Sequence, residues 1–347
     1  DGIENVSFVP AGKKSGPVAV ERSPVMSEVR ELGNTASLIN KLGTEKDKAQ
    51  FKDDVNGLVT RFKRRIAKAR GYSTLAAGVR SGEYAALGKG IEKLENGTKT
   101  IAFETAGSVE NLALLRNGEV EYAIVQSDIA HMAYNATGLF SSDLPMTELR
   151  AISSLFPEAV HILVRQDSRI RKLDDLRGLS VDVGKKKSGN RFNAIQVLET
   201  AGLSLTDIKP GETDSLETAL ERLAIKELDA IFVTGAYPWR GLSKLPDGLA
   251  ISFLSLSKSE TASVLKDNPF MIGISIPANT YPSQASPITT VGLTAMLVTT
   301  KNVDVNKATG LMNSIFAGVD RLGEETAHAY YISKDKSRLG ISIPFLP

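Results

Sequence analysis

The 347-residue chain contains no cysteine, which excludes disulfides, thiolate metal sites and a cysteine nucleophile. Histidine is scarce too: His131, His161 and His328 have no His-Glu-x-x-His or comparable metal spacing. No Gly-x-Ser-x-Gly elbow occurs, and no apolar run approaches the ~20 residues of a membrane span. Charge of one sign is also missing. The 42 Lys and Arg against 40 Asp and Glu leave a net +2, which gives nucleic acid or an acidic polymer nothing to hold. Asp1-Gly-Ile-Glu-Asn lacks the basic and then apolar pattern of a signal peptide. The expected location is therefore the cytoplasm or, for a mature form whose leader is gone, the far side of a membrane. His161 lies within an apolar run and reads as a hydrogen-bonded structural histidine. The carboxylate pairs Asp53-Asp54 and Asp174-Asp175 fall in helix or helix-start contexts, where solvation or the helix dipole accounts for them. The expectation is a non-enzyme without metal or cofactor.

What is present is an ordinary globular composition, 42% hydrophobic and 24% charged. Residues 1–24 hold three prolines and three glycines among few apolar residues and read as an extended arm. From there Val25, Val29, Leu32, Ala36 and Ile39 repeat at helical spacing, with Ser23-Pro24 as the start and Gly43 as the stop. Thr44 and Asp47 approximate a capping box for a second helix, striped by Phe51, Val55, Leu58, Phe62, Ile66 and Ala69. Residues 25–71 thus read as a helical hairpin. Near its end Arg61, Arg65 and Lys68 share a face opposite Phe62, Ile66 and Ala69, either as a solvated face or as a docking surface for an anionic partner.

From residue 72 short apolar strands (74–79, 100–104, 122–126, 181–183 and 230–233) alternate with helical segments, the pattern of an α/β fold with parallel sheets. Two longer β-rich runs, 160–165 and 291–299, have the composition of strands that cross between lobes. The expected division is residues 72–164 with 291–347 in lobe 1 and 165–290 in lobe 2.

Three strand-to-helix junctions share one design: Arg80-Ser81-Gly82-Glu83-Tyr84, Ala106-Gly107-Ser108 ahead of Asn111, and Gly184 through Arg191. In each, glycine permits a tight turn, and the following helix offers unpaired amides and the positive end of its dipole. Ser108 and Ser188 can cap their helices or meet a ligand, and Arg191 can grip a carboxylate through paired hydrogen bonds. Gln126 and Tyr237 stand at two further strand ends, so all would lie on the carboxyl edge, where open α/β sheets place ligands. Helix caps in any α/β protein read the same way. Gly184-x4-Gly189 is not a P-loop, because Asn190-Arg191 stands where Lys-Ser/Thr is required. Lys185, Lys186 and Lys187 read as a basic loop that favours an anion, or as a solvated one.

The motifs Gly82-x-Tyr84, Thr105-Ala-Gly-Ser-Val-Glu-Asn-Leu112, Gly118-Glu-x-Glu-Tyr-Ala-Ile-Val-Gln-Ser-Asp128 and Leu173-x-x-Leu-x-Gly178 follow one another in order. Ser188-Gly-Asn-Arg191, Gly235-Ala-Tyr-Pro238 and Ile276-Pro-Ala-Asn-Thr-Tyr-Pro-Ser-Gln284 continue the series. Over about 72–340 the chain resembles the TAXI group of TRAP-transporter solute-binding proteins. That resemblance implies a two-lobed type II periplasmic-binding-protein fold that closes on a small organic anion or amino acid and delivers it to a TRAP-type membrane transporter from the periplasm. It implies a cleft lined by Tyr84, Ser108, Asn111, Gln126, Ser188, Asn190, Arg191, Ala236 and Tyr237. The chain departs from the group's pattern in the first turn, Ser81-Gly82-Glu83-Tyr84-Ala85, in the lysine-bearing loop, and at Asn190, where Thr is usual. The first 70 residues have no counterpart in a minimal receptor. A receptor fold reused as a docking subunit of a membrane-associated assembly, engaged through those residues, is the alternative.

Overall fold

In this computed structural model, residues 24–94, 99–186, 188–242, 245–282 and 284–347 are described. The expected arm over residues 1–24 lies, apart from Pro24, outside them. The chain divides into two units, one ending at Arg61 and the other running Phe62–Pro347.

Two helices open the chain, α1 (Pro24–Leu42) and α2 (Glu45–Ala69). The start of α2 is fixed by reciprocal bonds: Thr44 N–H donates to Asp47 Oδ2 at 2.8 Å, and Asp47 N–H donates to Thr44 Oγ1 at 3.2 Å. Within the first unit Val29, Leu32, Leu38, Leu42, Leu58 and Val59 are all exposed. In the second unit the end of α2 buries Arg64 and Ala67, whereas Phe62 and Ile66 are about half exposed, at 53% and 52%. Arg61, Arg65 and Lys68 are exposed as one of the expected readings has it, but the apolar face of Phe62, Ile66 and Ala69 is exposed too, and a third face packs instead. Arg64 outcompetes the apolar residues because Glu119 accepts its guanidinium at 2.7 Å and the ring of Phe103 lies 6.0 Å away.

Then follow β1 (Ser73–Ala76), α3 (Glu83–Glu92), β2 (Thr100–Phe103), α4 (Ser108–Arg116), β3 (Tyr122–Gln126) and α5 (Ser127–Asn135). The long strand β4 (Leu149–Arg165) leads to β5 (Ser180–Asp182), α6 (Gly189–Glu199), β6 (Lys209–Gly211), α7 (Leu216–Ala224), β7 (Ala230–Ala236) and β8 (Ile251–Phe253). The chain closes with α8 (Lys258–Asp267), β9 (Ile272–Ile276), β10 (Ile288–Thr300), α9 (Val305–Ala317) and α10 (Val319–Glu325). No described helix is long and apolar enough to cross a membrane.

The fold is mixed α/β around one sheet, ordered β2-β1-β3-β10-β4-β7-β5-β6, with β8 on β4 and β9 on β10. The outer blocks β2-β1-β3 and β7-β5-β6 are parallel within themselves. Their strands are buried on both faces and so read as continuous apolar runs: Leu75, Tyr122, Ile124 and Val125 in one, Val181, Ala230 and Phe232 in the other. Between the blocks β4 and β10 run antiparallel to each other and to their outer neighbours. Strand β4 spans 17 residues, starting well before the expected Val160. It runs through Pro157 because the register with β10 shifts beside that residue, so the missing N–H falls at an irregularity of the ladder.

At the crossing the backbones approach so closely that only glycine fits. A Cβ on Gly292 of β10 would collide with the carbonyl oxygen of Glu158 and lie 3.0 Å from Ala159 Cα. Gly292→Ala is expected to cost at least about 2 kcal/mol, since neither backbone can retreat from the added methyl. Gly273→Ala on β9, where the nearest neighbour is 3.7 Å away, is the control and should change stability by less than about 1 kcal/mol. Urea unfolding of the two variants checks this, and equal losses would contradict the crowding.

Candidate functional site

The parallel blocks point their carboxyl ends at each other across β4, and a cavity of about 650 Å³ opens there. Glu158 sits in the middle of β4, paired with Ala236, the last residue of β7. Gln126, the last residue of β3, pairs with Ala295 of β10. Both reach the cavity wall.

Glu158 is 7% exposed. The Tyr84 hydroxyl donates to its Oε2 at 3.1 Å, and the Gln126 side-chain amide donates to the same oxygen at 2.9 Å. Burial pushes the carboxyl up to about 7; nearby Asp128 adds to the rise, and the two donors oppose it. The same burial, with Glu158 beside it, raises the Tyr84 phenol well above its ordinary value. Tyr84 is oriented by an edge contact with Phe156, ring centres 6.0 Å apart. Asp128 is fully buried at the start of α5, accepts the Ile129 N–H at 2.7 Å, and is raised by burial to about 6.

Helix N-termini supply the opposite polarity. Gly107 precedes α4 with φ 117°, a conformation only glycine adopts at low cost, and Ser108 Oγ accepts the Gln126 backbone N–H at 3.1 Å. Ser188 caps α6 by accepting the Arg191 N–H at 3.2 Å. The first-turn amides of α4 and α6 lack intrahelical acceptors, as at any helix start, and Ser108, Val109, Ser188 and Gly189 line the cavity. Glu83 opens α3 on the same wall; its Oε2 accepts the Thr326 hydroxyl at 2.6 Å and lies 3.7 Å from His328 Nε2.

The structure thus brings Tyr84, Ser108, Gln126, Ser188 and Ala236 to one cavity wall. Four other expected residues do other work. Asn111 is fully buried: it donates to Ala77 O at 2.5 Å and Ile124 O at 2.7 Å, and accepts from Thr105 Oγ1 at 2.6 Å, stapling α4 to β3 and to the residue that follows β1. Asn190 staples α6 to β7, donating to Phe232 O at 2.9 Å and accepting from Thr234 N–H at 2.8 Å. The Arg191 guanidinium donates to Gly184 O at 3.0 Å and braces its own turn. Tyr237 is buried against Tyr331, ring centres 5.5 Å apart. In the lysine loop Lys185 pairs with Asp214 at 2.8 Å, and Lys187 lies outside the described residues.

His161 is buried and close to Tyr281, Nε2 to Oη 2.7 Å, with burial lowering its pKa to about 4. His161 Nε2 and the Tyr281 hydroxyl are hydrogen-bonded, and the same hydroxyl oxygen accepts the Trp239 backbone N–H at 3.1 Å, which holds Trp239 in the cavity wall. Sequence reasoning missed Glu158, Glu217, Trp239 and His328 as lining residues. For Glu158 a signal existed: one acid inside the run from Leu155 to Val164, apolar but for His161, hidden because Pro157 reads as a strand breaker.

A carboxyl raised in the folded state holds its proton there longer than in the unfolded chain. Its burial therefore costs nothing below the ordinary 4.5 and the full penalty above about 7. Glu158→Gln removes a penalty on the order of 3 kcal/mol at pH 8. Relative to wild type the variant should gain stability steadily as pH rises from 4.5 to 7.5 in urea unfolding. A difference independent of pH would contradict the burial of a titrating carboxyl.

A sequence model of the NMT1-like family matches residues 75–347. Among solved structures, the alkanesulfonate-binding protein SsuA of Xanthomonas axonopodis pv. citri, bound to MOPS, is 17% identical with a TM-score of 0.42, over 74% of this chain and 80% of that one. A TctC solute-binding protein from Polaromonas is 14% identical with a TM-score of 0.48, over 74% of this chain and 88% of that one. The periplasmic VFT2 domain of Bordetella pertussis BvgS is 15% identical with a TM-score of 0.42, over 78% and 97%. Because the family match takes in the sheet from Leu75 onward and every lining residue of the cavity, the chain belongs to the NMT1-like family.

Proposed function

We propose that this protein is a periplasmic solute receptor that binds a small carboxylate-bearing molecule, an amino acid, dicarboxylate or oxoacid, and presents it to a TRAP-type membrane transporter. In this reading residues 72–164 with 291–347 form one lobe and 165–290 the other, and the solute holds them together by contacting both. The observation that carries it is the cavity where two parallel blocks face each other, with the N-termini of α4 and α6 on its walls. First-turn amides with the Ser108 and Ser188 hydroxyls would receive a carboxylate without a basic side chain. Arg191, engaged with Gly184 O, shapes the turn that presents the α6 amides.

The transporter or another membrane complex would be met through the first 70 residues. Exposed Val29, Leu32, Leu38 and Leu42 on α1 support that role. They equally favour a second reading, the receptor fold serving as a docking subunit of a membrane-associated assembly.

A thermal-shift screen against glutamate, glutamine, succinate and 2-oxoacids tests the receptor. A solute at a hundredfold excess over its dissociation constant should add about 2.7 kcal/mol of stability. A flat response across the panel would contradict the receptor and favour the docking subunit.

A further inference from the structure

Resting on the receptor reading above, we infer that the solute carries a protonated amine and that Glu158 is the group that receives it. Charge around the cavity is one-sided. Glu83, Glu158 and Glu217 line it, and among the described side chains there neither Lys nor Arg appears; His328 is the one basic group. A dicarboxylate or oxoacid would meet these acids with neither Lys nor Arg among the described lining side chains to offset them.

Glu158 is built to take a donor. Both of its internal donors, the Tyr84 hydroxyl and the Gln126 amide, reach Oε2. No hydrogen bond from a described residue reaches Oε1, although the side chain is more than nine-tenths buried and lies on the cavity wall. Oε1 is not one of the closed-off oxygens of the site; it is left open to the cavity, where an incoming donor can reach it. An ammonium placed on it supplies both the donor and the opposite charge, a charge-assisted hydrogen bond of the strong class.

The geometry also says where the rest of the solute goes. Gln126 donates its side-chain amide to Glu158 and its backbone N–H to Ser108 Oγ, the first residue of α4. The acid and a helix N-terminus therefore stand on either side of one residue. A molecule with an amine at one end and a carboxylate close by satisfies both, which selects the amino acid from the wider set of small carboxylates.

Calorimetry at pH 8 with matched pairs decides this: glutamate with 2-oxoglutarate, alanine with pyruvate, aspartate with succinate, leucine with 4-methyl-2-oxopentanoate. For the pair that binds, the amino member should bind wild type at least 100-fold tighter than its partner. Glu158→Gln should lose at least 30-fold for the amino member while keeping the wild-type elution volume. A partner without the amine that binds as tightly, or a Glu158→Gln protein of unchanged affinity, overturns the inference and leaves the receptor standing. The wild-type comparison holds whether or not the variant folds. Silence from every pair removes the receptor and the inference together.

Discussion

The hydrogen-bonded carboxyl of Glu158 is the interaction on which the site depends. Taking an acid out of water is unfavourable, and two neutral donors on one oxygen offset only part of the cost. Those donors come from different elements: Tyr84 from α3 and Gln126 from the end of β3. Glu158 itself lies on β4, beside the end of β7. One side chain thus ties a helix start and the end of β3 to the crossing strand, whose backbone at the same residue pairs with the end of β7. A stability-optimised core would hold an apolar residue there. Retaining an acid on the cavity wall is the kind of local cost that binding sites carry.

The acid can occupy that place because of the sheet topology. Two parallel blocks, each burying both faces of its strands, are joined through the antiparallel pair β4 and β10. Parallel blocks present helix N-termini at their carboxyl edges, and the crossing pair turns those edges toward each other. The cavity is therefore flanked by positive helix ends and floored by a carboxyl. Gly292 lets the two crossing backbones come close enough to form that floor.

The α/β class, the short parallel strands and the helix starts were legible in the sequence because each has a local cause. Apolar runs such as Tyr122–Val125, the Thr44–Asp47 cap and the glycines before α4 and α6 act within a few residues. Asn111, Asn190 and Arg191 were expected to face a ligand but are engaged by backbone carbonyls, many of them on other elements. A polar residue after a Gly-Ser turn looks the same whether it points into a cleft or staples a helix to a strand. The partner decides, and the partner is remote. Glu158 was missed for the complementary reason: Pro157 hid the strand, and only the β4–β10 register reveals the irregularity that admits it. The facing of Phe62 and Ile66 failed because Glu119, far along the chain, offered Arg64 a part-buried partner.

The most direct test of this account is the titration of the Glu158 side-chain carboxyl, followed by carbon-13 NMR in the protein without added solute. The account places its midpoint near 7, far above the ordinary range, because burial dominates over its two donors. A midpoint in the ordinary carboxylate range, near 4, would mean that the side chain is solvated, and the cavity would lose the acid around which its chemistry has been argued.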